Sequence, residues 1–205
     1  GKVAPVTKRL GVMVREGDKA VCIGNGGQME LDALLDAEGP IFIKPNNLLQ
    51  GKGGARIEKA PQGGEPYLVN HKTAELEDIL TLVKDGVHVE KVVRQHPVFE
   101  AFHPASLNTL RVITVSSVDK KPQLDRVVLR MGAGGKTTDN WCSGGLAVMV
   151  KSDGTLGELA WFEICTKKPC TEHPDTHVRF AGTKIPFYDE VVALAIRMHA
   201  TCPEV

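Results

Sequence analysis

Three clusters in this 205-residue sequence have residue types and spacing that could do chemistry. The first is Lys44 followed by Gly51-Lys52-Gly53-Gly54. Ile41-Phe42-Ile43 reads as a strand closed by Lys44, and Pro45 ends the pairing because it has no amide to donate. ARIEKA, residues 55–60, reads as a returning strand, so the glycines fall at a hairpin tip. Glycine there lets backbone N–H groups close on phosphate oxygens, making the loop a candidate lid over a nucleotide. A solvated turn is the other reading of the same residues. The second cluster, GAGGKTT at 132–138, ends like a P-loop. That motif needs a glycine five residues before Gly135, where Arg130 stands, and no helical period follows. It is predicted to be a turn. The third, Cys165-x4-Cys170-x2-His173-x3-His177, has zinc-ligand types without a tight knuckle. Reduced cysteines and loop histidines are the expected reading, and no metal ligand is assigned. His96 and His103 beside Glu100 are read as hydrogen-bonding loop groups, not as general bases.

Strands and single helices must position these clusters. GVMVRE and KAVCIG alternate like short strands, and MELDALLDAEG reads as an amphipathic helix stopped by Gly39. KTAELEDILTLVKDG is the clearest helix, with Leu76, Ile79, Leu80 and Val83 on one face. VHVEKVV, LRVITVSSV and LDRVVLRM read as strands, and a further hairpin turns at Asp153-Gly154. DEVVALAIRMHA is a final helix with Val191, Leu194, Ala195 and Met198 on one side. Hairpins mixed with single helices predict an α+β fold, not a parallel βαβ series.

Lys plus Arg equals Asp plus Glu at 25 each, which argues against a nucleic-acid surface. No apolar run reaches the ~18 residues of a membrane span, and the first residues have no apolar signal core. Five scattered cysteines fit a reducing compartment better than a disulfide framework. A cytoplasmic protein is the expectation.

Residues 90–114, EKVVRQHPVFEAFHPASLNTLRVIT, combine a strand end with Gln95-His96-Pro97 and Ser106-Leu107-Asn108-Thr109-Leu110-Arg111. Before them lies the Lys44 hairpin, and after them Asp139-Asn140 with Gly144-Gly145. Then come His173-Pro174-Asp175-Thr176, Gly182 and Ile185-Pro186. From about residue 40 onward this series resembles the ATP-grasp superfamily, and within it the sugar-transfer-associated branch related to the alpha-L-glutamate ligases. The resemblance implies an ATP-grasp fold of mostly antiparallel sheets with packed helices, incomplete at both ends. Residues 1–40 would be a partial N-terminal subdomain and 41–100 a small subdomain with lid and adenine hinge. Residues 101–205 would be a large subdomain stopping before the expected metal-ligand strands.

The resemblance also implies roles. Lys44 and Gly51, Lys52, Gly53 and Gly54 would contact ATP phosphates, and Glu90, Lys91, Val92 and Val93 would read adenine through backbone groups. Arg111 and Arg130 would aim two guanidinium forks at the transferring phosphoryl group, with Asn140 orienting the phosphate side. Ser106, Asn108, Thr109, His173 and Asp175 would line the substrate side or hold turns. The implied activity is ATP-dependent carboxylate–amine ligation through an acyl phosphate, with ATP and Mg²⁺ as cofactors and a small carboxylate as substrate. A non-catalytic nucleotide-binding or regulatory module in a sugar-transfer pathway, or an ATP-grasp kinase, would use the same residues.

Overall fold

The computed structural model describes residues 7–46, 53–61, 66–116, 119, 121–162 and 169–201. The chain divides into two compact units: Pro5–Val93, and Arg94–Val205 together with Gly1–Ala4.

Alternating side chains build the first unit. Its elements are β1 (Arg9–Glu16), β2 (Lys19–Gly24), β3 (Gly27–Glu30), α1 (Leu31–Glu38), β4 (Ile41–Pro45), β5 (Ala55–Lys59), β6 (Tyr67–Val69), β7 (Lys72–Ala74), α2 (Leu76–Val83) and β8 (Val87–Lys91). The eight strands form one antiparallel sheet in the order β3-β2-β1-β8-β4-β5-β6-β7. β1 pairs directly with β8, so strands from both sides of residue 40 share this sheet. Ile41, Ile43, Ile57, Val87 and Val89 point to the covered face and join Leu34, Leu35, Ile79, Leu80 and Val83 of the helices in one core. Two local devices fix the helices. Gly39 at φ 72° ends α1, and a capping box between Glu75 and Asp78 starts α2.

In the second unit α3 (Pro97–Glu100) is followed by β9 (Thr109–Ser116), β10 (Pro122–Met131), a single 3₁₀ turn (Trp141–Ser143), β11 (Leu146–Val150), β12 (Leu156–Phe162) and α4 (Tyr188–Thr201). The strands make an antiparallel meander, β12-β11-β10-β9. Val127, Leu129, Met131, Leu146, Val148 and Ala160 face the core, which also holds the stacked rings of Phe102 and Phe180. Helix α4 forms where expected, and Val191, Leu194 and Ala195 of its expected face are half-buried. Tyr188 is buried and Val192 meets the core, whereas Met198 is 52% exposed. Next to Met198, His199 ties the helix to β9, with Nδ1 2.9 Å from Thr114 Oγ1 and Nε2 3.2 Å from Ser116 Oγ.

Candidate functional site

Pleating leaves one face of each sheet open, and the chemistry-bearing residues lie there. In the first unit Phe42 and Lys44 alternate with buried Ile41 and Ile43, so they point away from the core. Their neighbours on that face are His88 and Glu90 of β8 and Arg56 of β5. Lys44 does not stand alone: its Nζ donates to Glu90 Oε2 at 2.6 Å and sits 5.9 Å from the Phe42 ring centre. Arg56 donates through Nη2 to Glu58 at 2.6 Å, while its Nε is buried with no acceptor. Gly53, at φ 71°, and Gly54 lead into β5, whereas Gly51 and Lys52 of the expected lid lie outside the described residues. Lys91 donates from Nζ to Glu38 at 3.1 Å and from its amide to Lys8 O at 2.9 Å. With Lys8, it holds the Glu38 carboxyl below the usual range. Val92 and Val93 follow the strand at the boundary of the two units.

On the second unit's open face, Arg130 stands opposite Thr109, and Val128 opposite Arg111. The two arginines are therefore diagonal neighbours, a relation that spans about 7–8 Å between strands. They are not equivalent. Arg130 donates to Asp139 Oδ1 at 3.1 Å, Thr109 Oγ1 donates to Asp139 Oδ2, and the Arg130 Nε is buried with no acceptor. Arg111 is exposed. Beside them the face is apolar: Met149 opposes Val128 and Trp161 opposes Ala147, with Met149 44% and Trp161 51% exposed. Asn140 caps the 3₁₀ turn by accepting the Cys142 amide at 3.3 Å. The segment 132–140 leads to that turn and to no α-helix, as the missing P-loop glycine predicts.

Ser106 and Asn108 are buried inside a loop scaffold. Asn108 Nδ2 donates to Phe99 O and His103 O, Ser106 Oγ donates to Asn108 Oδ1, and the Gly132 amide donates to Ser106 Oγ. Gln95 bridges the same loop, donating to His103 O and Ser106 O and accepting the Asn108 amide. His173 is fully buried, and its Nε2–H donates to Gly132 O at 2.9 Å. Burial pushes this imidazole below its ordinary pKa; Gly132 and Asp175 oppose the shift and His103 adds to it. Asp175 Oδ2 accepts the Gly134 amide at 2.7 Å. The cysteine–histidine spacing does not come together among the described residues. His177 pairs with Glu172 at 3.0 Å, and Cys165 lies outside them.

Sequence reasoning passed over Arg56, quoted Gln95 and Asp139 in motifs without giving them a role, and assigned Glu90 only through its backbone. Alternation in ARIEK was the available signal for Arg56, whereas the Asp139–Arg130 pairing depends on a nine-residue loop with no periodic signature. A family model described as sugar-transfer associated ATP-grasp matches residues 26–205. No curated protein and no solved structure matches the chain.

Proposed function

Since the chain belongs to the sugar-transfer associated ATP-grasp family, we propose that it binds ATP and uses it to join a small carboxylate to an amine. The observation that carries this reading is the pair of orphaned donors, Nε of Arg56 and Nε of Arg130, each on the open face of its own unit. A buried N–H without an acceptor costs about 1–3 kcal/mol. Phosphate or carboxylate oxygens are acceptors of the kind these forks are shaped for.

In the proposed reaction a carboxylate oxygen attacks the γ-phosphorus and ADP leaves. The amine then attacks the acyl carbon, inorganic phosphate departs, and the nitrogen gives up a proton. Arg111 and Arg130 would counter charge on the transferring group, and Lys44 would hold phosphate once Glu90 releases it. ATP-grasp chemistry implies Mg²⁺ on the triphosphate. The carboxylates beside the cationic residues do not fit that role as they stand, because Glu90 is engaged by Lys44 and Asp139 by both Arg130 and Thr109. The same engagement favours a second reading, nucleotide binding without turnover.

The test is thermal unfolding with and without ATP, for the native chain and for Lys44→Ala and Arg130→Ala. Ligand at about 100 times Kd adds roughly 2.7 kcal/mol, and both variants should lose that gain. No stabilisation by millimolar ATP would sink both readings. Stabilisation without ADP release across a panel of carboxylates and amines would select the second.

A further inference from the structure

We propose that His103, His173 and Asp175 form a binding site for a divalent transition-metal ion of the zinc type, held by the two Nδ1 atoms and a carboxylate oxygen. It is distinct from any ion carried by a nucleotide. The three side chains are the one such group of possible ligands among the described residues, and their ligand atoms lie within 4.8 Å of one another. Both imidazoles are buried, at 2% and 0% exposure, and stack with centroids 5.4 Å apart.

The tautomers carry the argument. His103 Nε2 lies 2.8 Å from Lys136 O, and His173 Nε2 lies 2.9 Å from Gly132 O. A carbonyl can only accept, so both Nε2 atoms carry hydrogens and the metal-binding lone pairs fall to Nδ1. Donation of the second ring N–H to a backbone carbonyl is the outer arrangement that orients histidine metal ligands. Both Nδ1 atoms approach Asp175. His103 Nδ1 is 3.4 Å from Asp175 Oδ2, and His173 Nδ1 accepts the Asp175 amide at 3.2 Å. A charge-assisted N–H···O bond spans about 2.7–2.9 Å, whereas two ligands about 2.05 Å from a tetrahedral ion sit roughly 3.3 Å apart. The 3.4 Å between His103 Nδ1 and Asp175 Oδ2 matches the second distance. Binding exchanges the long Asp175 amide contact for a ligand bond, while the Gly134 amide keeps the carboxylate oriented at 2.7 Å. The Asp175 side chain is 34% exposed, which gives the ion an entry and a water the remaining position.

Two imidazoles and one carboxylate suit zinc, cobalt, nickel or ferrous iron and not magnesium, which prefers oxygen throughout. The ion would tie the His103 loop to the 173–175 turn. Through the two carbonyls it would also fix Gly132 and Lys136, at the root of the segment that carries Asp139 and Asn140.

The test is titration of chelator-treated protein with Co²⁺, followed by displacement with Zn²⁺. One ion per chain is expected, with the visible bands of four-coordinate cobalt and no sulfur-to-cobalt charge-transfer band. Asp175→Asn changes a partly exposed side chain and keeps its shape, so it checks the site if His103→Ala fails to fold. It should weaken binding by more than the roughly 10–100-fold that loss of an outer partner costs. Absence of stoichiometric binding, a thiolate band, or unchanged affinity in Asp175→Asn would each overturn the proposal.

Discussion

Arg130 and Arg111 share a residue type and an open face, yet they should respond differently to substitution. Arg130 is positioned by Asp139 and Thr109, and its Nε awaits an acceptor. Arg130→Lys keeps the charge and removes the planar fork. A hydrogen bond to a charged group contributes about 1.5–3 kcal/mol, so ATP should bind roughly 10–100-fold more weakly by calorimetry. Asp139→Asn should weaken it in the same direction, whereas loss of the Asp139 effect in the Arg130→Lys background would show that the carboxylate acts through that arginine. Gly132 has a different vulnerability. A Cβ built there falls 2.6 Å from Ser106 Oγ and 2.7 Å from His103 Cδ2. Gly132→Ala should therefore destabilise the second unit by about 1–3 kcal/mol in urea unfolding, the cost of overpacking a filled site.

At the scale of elements, Tyr67 ties β6 to α1 by donating to Asp32 Oδ1 at 3.0 Å. Burial, then the Asp32 hydrogen bond and charge, push its phenol up to about 12 from an ordinary 10. The unfolded chain releases that proton first, so the contribution is whole below about pH 10 and fades as pH climbs toward 12. Tyr67→Phe should flatten that alkaline slope in denaturant midpoints measured from pH 9 to 12. Elements of this kind were legible in the sequence wherever a period was clean. Ile41 and Ile43 against Phe42 and Lys44 announce β4 and its open face, and Ile79, Leu80 and Val83 announce α2. On α4 the helical period held for Val191, Leu194 and Ala195, which are half-buried, and failed at Met198, which is exposed. There the helix meets β9 through His199, whose contacts with Thr114 and Ser116 reach across more than eighty residues. The pairing of Asp139 with Arg130 was illegible for the same reason: loops bring groups together by tertiary closure, which leaves no period to count. Likewise, His173 was grouped with nearby cysteines, but its neighbour in space is His103, seventy positions earlier.

Among the described residues there are two core clusters, one in each compact unit. Ile57→Ala and Leu129→Ala each empty a fully buried site and should cost about 2–5 kcal/mol. Hydrogen exchange under partial denaturation should show each loss confined to its own unit, and a uniform loss across both would contradict separate cores. Of the first unit's strands, β8 comes last in sequence yet lies in the middle of the sheet, between β1 and β4. On the ribosome, β1–β3 and β4–β7 emerge as two half-sheets, each with an unpaired inner edge, until residue 91 has been made. Exposed edges invite pairing with foreign strands. Nascent chains stalled before Val87 should therefore be the aggregation-prone and chaperone-held species, and those stalled beyond Lys91, once clear of the exit tunnel, should not.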